Sequence, residues 1–343
     1  MLQFVSFAVD KVLWRLRLIR RWLRAARIYL GDCNRYFYGS DLGSRISNYA
    51  HREAEALRLV HSLEKGLTMP APRRVFGLET CSRLAHLLST FSSMHGSEWI
   101  TDYGERVAET VARVNADSGV LKPDKIVYGS KLINRSTILA SAPKDPHAFL
   151  CSRHSVREFA GDPLSDQLLW ELVRGAQTAP SVCNRQAGRI RFYNDEHTKA
   201  RILSLQNGNR GFGQLIPTVA VISCDLRVFT GLAERNQAWI DGGLFAMALV
   251  FMAHAKGLGT CFLNWSVLPH RDRELRALLE IPDHEVIITL LGIGEIAETI
   301  TVTESLRRPS KSVWVNSNSP RTMPFTQESG IEKVAPVGPR SSV

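Results

Sequence analysis

Two short apolar segments on either side of a long apolar helix constrain the fold of this chain more than any other feature. Residues 217–224 and 285–292 are mostly apolar and rich in β-branched side chains, which is typical of strands covered on both faces. Residues 239–256 are also mostly apolar but long enough for a helix, and Gly257 is placed to end it. The sequence therefore predicts a domain of mixed helix and strand, with this helix central and buried.

The part of the chain before this domain has a helical pattern. Residues 1–30 are predicted to form a basic amphipathic helix, because apolar side chains recur at steps of three and four with arginines between them. Leu18 and Trp22 lie outside that apolar stripe. Residues 31–145 are predicted to form a helical extension. Its clearest helical segments are residues 53–63 and 78–91.

The main domain is placed after a linker. Two prolines and polar residues at 141–146 indicate that linker, and the domain is assigned to residues 146–315. Within it, Ser165 is placed to cap a helix, and residues 189–193 alternate like a strand. Residues 316–343 are rich in Ser, Pro and Gly, which predicts a flexible tail.

The positive charge of the chain is concentrated at its start. The formal net charge is +10, and residues 1–30 hold seven Lys and Arg against Asp10 alone, which gives 7 − 1 = +6. Because the remainder is nearly balanced, the total does not indicate nucleic-acid binding. Three roles stay open for these arginines: peripheral contact with an anionic membrane, binding of an acidic partner, or packing as a simple helix.

The six cysteines are scattered, and none shows the Cys-x-x-Cys spacing of a zinc or redox site. Several have apolar neighbours, which favours buried thiols in a reducing compartment. We find no signal-peptide pattern at the N-terminus and no run near the roughly 20 apolar residues of a membrane span. We therefore expect a cytoplasmic protein, either free or attached to a membrane surface.

Two polar segments of the main domain suggest a cofactor. Arg153-His154-Ser155-Val156-Arg157 places two guanidinium groups and a hydroxyl within five residues, and arginine binds phosphate as a charged, bidentate donor. Pro180-Ser181 opens a turn that carries the amides of Asn184 and Gln186. An amide both donates and accepts, which suits the edge of a flat heteroaromatic ring. Together the segments suggest a phosphorylated, ring-bearing cofactor.

Two other segments give weaker signals. Residues 207–213 are glycine-rich but lack the Lys-Ser/Thr of a P-loop, so a loop over the pocket rim and a plain surface loop are equally compatible with them. His61 and Glu64 share a helix face. With no further ligand in register, a helix that ends near Gly66 is a better interpretation than a metal site.

The order of these motifs resembles the flavin-dependent nitroreductase family over residues 151–310. That family has an Arg-x-Ser-x-Arg segment, a Pro-Ser-x-x-Asn-x-Gln turn, a Gly-Leu-Gly-Thr-Cys turn after a long helix, a strand closing in Gly-x-Gly, and a basic residue before a late proline. The matching segments here are residues 153–157, 180–186, 257–261, 292–294 and 307–309. Residues 61–67 also resemble a block found ahead of this domain in proteins of bacterial surface-polysaccharide gene clusters.

The resemblance implies an α+β, nitroreductase-like fold with a central mixed, mainly antiparallel sheet wrapped by helices. It also implies an obligate homodimer with FMN at the interface, formed largely by the helix at 239–253. The residues implied to bind the phosphate end of FMN are Arg153, His154, Ser155 and Arg157, completed by Arg307 and Arg308. Those implied to reach the ring are Pro180, Ser181, Asn184 and Gln186, often from the partner subunit. Backbone N–H groups of Phe262, Leu263, Asn264 and Trp265 are implied to meet flavin N5 and O4.

The implied reaction has two steps: NAD(P)H passes a hydride to the flavin and leaves, and an acceptor then takes the electrons. Donors at N5 and O4 would stabilise the reduced ring, and no catalytic acid, base, nucleophile or metal is assigned. Two alternatives stay open. One is a flavin-dependent oxidase or desaturase acting on a sugar or peptide intermediate, and the other is a non-catalytic flavoprotein scaffold associated with polysaccharide biosynthesis.

The chain departs from the family pattern at two places. Ala187-Gly188 stands where the family commonly has Pro-Trp, and Asn264-Trp265 replaces a more usual acidic or Gly-Gly turn. The substrate side of the pocket is therefore expected to differ in shape from that of the family.

Overall fold

The computed structural model describes residues 2–40, 42, 49–69, 75–91, 98–116 and 127–314. For residues 2–12 and 311 it describes the backbone and not the side chain. Residues 1–301 form one compact unit and residues 302–343 a second. The helices of the first unit are α1 (Leu2–Gly39), α2 (Tyr49–Leu67), α3 (Leu78–Ser89), α4 (Glu98–Ala116), α5 (Arg135–Ser141), α6 (Pro146–Cys151), α7 (Asp166–Ala176), α8 (Glu196–Leu205), α9 (Gln237–Ala255) and α10 (Pro269–Leu279). Its strands are β1 (Phe159–Ala160), β2 (Gly188–Tyr193), β3 (Thr218–Asp225), β4 (Leu258–Asn264) and β5 (Glu285–Ile296). In the second unit, α11 spans Ser310–Val313.

The sheet is built around β5. Strand β3 pairs with it antiparallel, with Val221 opposite Leu290, and β4 also pairs antiparallel, with Leu263 opposite the same residue. Strand β2 extends the sheet beyond β3, and β1 pairs with the end of β5. The described ladders are all antiparallel, and a single isolated parallel bridge joins Ser155 to Thr260. This arrangement confirms the α+β class.

Both faces of the sheet are covered, which explains the apolar runs in the sequence. Every residue of β3 is buried. Val219 and Val221 pack on one face with the apolar side chains of α8 and α10, while Ala220 and Ile222 pack on the other with α7 and α9. Burying such side chains contributes roughly 1.5–3 kcal/mol each. Helix α7 begins as expected, because the Ser165 hydroxyl accepts the backbone N–H of Leu168.

Helix α9 is buried on one side only, so the prediction of a buried helix holds for half of its surface. Leu249, Val250 and Ala253 are fully buried, whereas Trp239 and Ile240 are each more than half exposed. By its length and composition this helix could cross a membrane, and 44% of its most apolar 18-residue window is buried within the structure. The core helices of soluble proteins meet the same criterion. Gly257 follows it at φ 75° in the left-handed region that favours glycine.

The helical extension has its own core and also joins the sheet domain. Helices α2, α3 and α4 bury Leu63, Leu84 and Ile100 almost completely. On its other side, α2 inserts Ala54 into a cluster that includes Phe229 of the main domain. The first helix continues to Gly39, nine residues beyond the boundary placed at residue 30. The four-part division of the chain stays a prediction, and its tail at 316–343 lies outside the described residues.

Candidate functional site

The Arg153–Arg157 segment runs beside β4. The backbone N–H of Val156 donates to the carbonyl of Thr260 at 2.9 Å, next to the bridge between Ser155 and Thr260. Arg157 lies with its guanidinium carbon 5.7 Å from the ring centroid of Phe212, and it donates weakly to the carbonyl of Ser155 at 3.4 Å. The structure therefore brings the first motif against the strand that follows the long helix. The side chain of His154 is exposed.

Arg153 and Arg157 are half-buried cations without a carboxylate partner within the described residues. Most other arginines with comparable or greater burial are neutralised by a carboxylate, while Arg271 donates instead to the carbonyl of Leu205 and the side chain of Asn207. The ion-paired ones are Arg35, Arg58, Arg185, Arg189, Arg191, Arg227 and Arg276. Because a partly desolvated charge is costly unless it is paired, the two unpaired guanidiniums mark a position that suits an anion.

The end of β4 holds Leu263, Asn264 and Trp265. Leu263 is buried in the core, and the Asn264 side chain accepts from the backbone N–H of Ser266 at 3.1 Å. Trp265 is buried, and its indole N–H donates to Asp272 at 3.0 Å. The indole is thus part of the core, so only the backbone of Trp265 is available for the role predicted for it. Residues 258–264 form a strand where the family pattern suggested a turn.

The Pro180-Ser181 turn has an unusual backbone. Cys183, Asn184 and Gln186 all have φ between 50° and 53°, a left-handed conformation that is unfavourable for residues other than glycine and asparagine. The Ser181 hydroxyl closes the turn by accepting the backbone N–H of Gln186 at 3.0 Å. Asn184 and Gln186 are exposed as a result. Strain of this kind persists where surrounding contacts enforce it, and it clusters at functional sites.

Two contacts that sequence reasoning missed hold this turn. Asp241 of α9 is buried, and its carboxylate accepts the backbone N–H of Val182 and the amide of Gln237. Arg185 is buried and forms a bidentate pair with Glu234, with Nη1 to Oε2 at 3.1 Å. Burial would raise the pKa of Glu234, but the hydrogen bonds from Arg185 and the backbone of Thr230 outweigh it and lower that pKa. An acid inside an otherwise apolar helix was the available signal for Asp241.

The predicted residues form two separate groups in one chain. The arginine group comprises Arg153, Ser155, Arg157 and the end of β4, and the turn group comprises Pro180, Ser181, Asn184 and Gln186. Within the described residues, no hydrogen bond, ion pair or ring contact joins the two groups. Arg307 and Arg308 lie in the second unit, so their predicted part in a phosphate site stays a prediction.

A cavity of about 230 Å³ opens beside the turn group. Its lining includes Ser181, Gln186 and Gly188, and a Cβ on Gly188 would lie 2.8 Å from the ring of Phe245. The helical extension supplies part of its lining through Glu53 and Trp99. The extension thus reaches the region where the chain departs from the family pattern at Ala187-Gly188.

The weaker signals of the sequence, at residues 207–213 and at His61 and Glu64, correspond to side chains that make ordinary contacts within the fold. Residues 207–213 form turns in which the Asn209 side chain donates to the carbonyl of Leu203 at 2.8 Å, beside a second cavity. Glu64 accepts the hydroxyl of Tyr103 at 2.5 Å and lies 3.9 Å from His61. Burial raises the pKa of the Cys224 thiol to about 12, which keeps that thiol protonated at neutral pH.

The part of the chain that holds both groups is similar to known proteins. The model of the nitroreductase family matches residues 150–209 and 204–295, less than half of the chain. An NADH dehydrogenase of Thermus thermophilus is 27% identical over 177 residues, covering 43% of this chain and 84% of that protein. An FMN reductase [NAD(P)H] of Bacillus subtilis is 23% identical over 164 residues, covering 43% of this chain and 65% of that protein.

Among solved structures, the alignment with an FMN-dependent nitroreductase of Clostridium difficile covers 49% of this chain and 98% of that protein. The identity is 22% and the TM-score is 0.42. Residues 150–295 are a nitroreductase-family domain. The domain is that of an oxidoreductase, and the helices of the extension precede it in the chain.

Proposed function

We propose that this chain is an FMN-dependent oxidoreductase that uses NAD(P)H to reduce a small-molecule acceptor. The observation that carries the proposal is the pair Arg153 and Arg157, which lie half-buried beside β4 with no carboxylate partner in the described part of the chain. Support also comes from the family match and from the FMN reductase and NADH dehydrogenase among the relatives.

The residues of the arginine group and the end of β4 fit FMN. Arg153 and Arg157 would hold its phosphate, and Ser155, half-buried between them, would contact the ribityl chain. Asn264 and Trp265 would present backbone N–H groups to the ring edge, where such donors stabilise negative charge. When bound, FMN supplies the two-electron chemistry, accepting a hydride from NAD(P)H and passing electrons to the acceptor. The chain's own task is to bind and orient these molecules and to exclude water.

The working form is proposed to be a homodimer. Trp239, Ile240 and Leu244 of α9 are each more than 40% exposed, although they are large and apolar. A two-fold contact along α9 would cover them. It would also allow the turn group of one chain, which is tied to the start of α9 through Asp241, to meet the arginine group of the other.

The acceptor is proposed to lie against the turn group, in the cavity that is lined in part by Glu53 and Trp99. A volume of about 230 Å³ accommodates a single small ring with few substituents. Trp99 is half exposed and offers an aromatic surface for such a ring.

Absorption spectroscopy tests the proposed activity directly. The purified full chain, reconstituted with FMN where needed, is expected to show flavin bands and to bleach rapidly when NADH or NADPH is added without oxygen. The released chromophore is expected to have the mass of FMN. A colourless protein that cannot be reconstituted would refute FMN binding, and a yellow protein that bleaches only slowly with both nicotinamides would refute NAD(P)H as the donor and favour an oxidase.

A further inference from the structure

Helix α1 is held at one end and exposed along the rest of its described length. Its 38 residues span about 57 Å at 1.5 Å per residue. Near its end, the Tyr36 hydroxyl donates to the carbonyl of Gly231 at 2.6 Å, and Arg35 pairs with Asp272 at 3.0 Å. Between residues 13 and 34 only Ala26 and Ile28 are half-buried, and the other side chains are exposed.

The exposed part of α1 has two opposed faces when residues are placed at 100° steps. The basic face covers an arc of about 120°. It comprises Arg17, Arg20, Arg21, Arg24 and Arg27. The apolar face covers about 160° on the other side. It comprises Leu16, Leu18, Ile19, Trp22, Leu23, Tyr29 and Leu30. There are three exceptions: Leu13 and Ile28 lie within the basic arc, and Arg15 lies within the apolar arc.

The apolar face is wider than the stripe that the sequence suggested. Leu18 and Trp22, which lie outside the narrow stripe seen in the sequence, widen the apolar face instead of interrupting it. Trp22 is 71% exposed and Tyr29 is 74% exposed, so packing against the described parts of the chain does not account for this face. Exposed apolar surface of this extent marks an interaction site.

Charge decides which partner fits. Residues 13–34 contain one acid, Asp32, so a second copy of α1 packed along the apolar face would leave the opposed basic face without acidic partners. An anionic bilayer surface offers apolar chains and phosphate groups at neighbouring depths, which matches a helix with one face of each kind. The arginines between the apolar residues also rule out burial of the whole segment in hydrocarbon.

We infer that α1 binds the surface of an anionic lipid bilayer. The helix lies in the plane of the interface, with the apolar face toward the acyl chains and the basic face among the headgroups. Tyr36 and Arg35 transmit this attachment to the main domain through Gly231 and Asp272. The inference does not depend on the proposed activity.

Vesicle sedimentation of the full chain tests the inference. In 0.1 M salt the protein is expected to bind vesicles of phosphatidylcholine and phosphatidylserine (7:3) at least about tenfold more strongly than vesicles of phosphatidylcholine alone. The variant R17Q/R20Q/R24Q is expected to bind the anionic vesicles about 100-fold more weakly, since each basic residue near such a surface strengthens binding by roughly fivefold. Salt at 0.5 M should release the wild-type protein.

A matched variant distinguishes the effect of the basic face from the effect of the total charge. R174Q/R201Q/R273Q removes three exposed arginines elsewhere and should bind like the wild type. Replacing the apolar residues in W22Q/L23Q should also weaken binding to the anionic vesicles. Equal weakening in both arginine variants, or no wild-type preference for anionic vesicles, would overturn the inference. Concentration-dependent self-association that is abolished in W22Q/L23Q, without vesicle binding by the wild type, would assign the face to a second copy instead.

Discussion

The buried carboxylate of Asp241 lies 3.2 Å from the backbone nitrogen of Val182 and accepts its N–H. This hydrogen bond ties the first part of the longest apolar helix of the domain to the turn that holds Asn184 and Gln186. The turn is strained, because Cys183 and Gln186, which are neither glycine nor asparagine, have left-handed φ values. Its conformation therefore depends on partners outside it, and Asp241 is one of two that the structure identifies, the other being the Arg185–Glu234 pair.

Replacing Asp241 by alanine should destabilise the protein. The Val182 N–H and the Gln237 amide would be left without their acceptor in a buried place, which costs about 1–3 kcal/mol. Urea unfolding at pH 7 measures the free energy of unfolding of D241A and of the control D283A, whose side chain is exposed. Similar stability of the two variants would show that the Asp241 carboxylate does not hold the turn.

Removing the unpaired cations should strip the flavin. Each charge-assisted hydrogen bond from an arginine to the phosphate is worth about 1.5–3 kcal/mol, so FMN affinity should fall by well over 100-fold in R153A/R157A. Flavin content after purification and titration of the apoprotein with FMN give the measurement. The variant R174A/R201A removes two exposed arginines and should retain wild-type affinity. An unchanged flavin content in R153A/R157A would contradict the phosphate assignment.

Acid should destabilise the protein partly through Glu285. Burial alone would raise the pKa of Glu285, but bidentate hydrogen bonds from Arg191 and one from Ser223 outweigh it and lower that pKa. Because the folded-state pKa is below the unfolded one, the unfolded state takes up this proton first. The stability from Glu285 is complete above about pH 5 and is lost as pH falls through the folded pKa.

Comparing the urea midpoint between pH 7 and pH 3.5 checks this effect. E285Q should be less stable than the wild type at pH 7, since Arg191 loses its charged partner. The free energy of unfolding of E285Q should also fall less steeply with acid than that of the wild type, with a difference in proton uptake of at most roughly one. The exposed Glu274 provides the control E274Q, which should keep the wild-type slope. Identical slopes for E285Q and the wild type would refute the contribution of Glu285.

Sequence periodicity predicted the helices and strands of the main domain, but it did not predict the polar contacts between them. The apolar runs located β3, β5 and α9, because the hydrophobic pattern of a buried element is local in sequence. The partners of the turn were missed because they are distant in sequence. Asp241 is 59 residues from Val182, and Glu234 is 49 residues from Arg185. Periodicity alone did not distinguish the exposed side of α9, because an apolar helix has the same sequence pattern whether a core or a second chain covers it. Only the resemblance implied an exposed side, through the interface expected at residues 239–253.

Exposed apolar residues on α9 should drive dimerisation. W239E/L244E places two carboxylates on the surface that is proposed to join two chains, and desolvating them would strongly oppose association. Sedimentation velocity should show a dimer for the wild type and a monomer for this variant, which should also lose its flavin. Trp170 is exposed on α7, and W170E should stay dimeric. A wild-type monomer that binds FMN fully would contradict the proposal.

Complementation between two defective chains distinguishes a shared site from one within a single chain. R153A/R157A lacks the arginine group, and N184A/Q186A lacks the amides of the turn group. If each site takes its arginines from one chain and its turn from the other, a mixed dimer contains one intact site. With random pairing half of the dimers are mixed, so refolding the two chains together should restore about one site in four. Flavin fluorescence of the bound fraction measures the recovery, with each variant refolded alone as the control. Because a site built within one chain is damaged in every variant molecule, such a site would show no recovery on mixing.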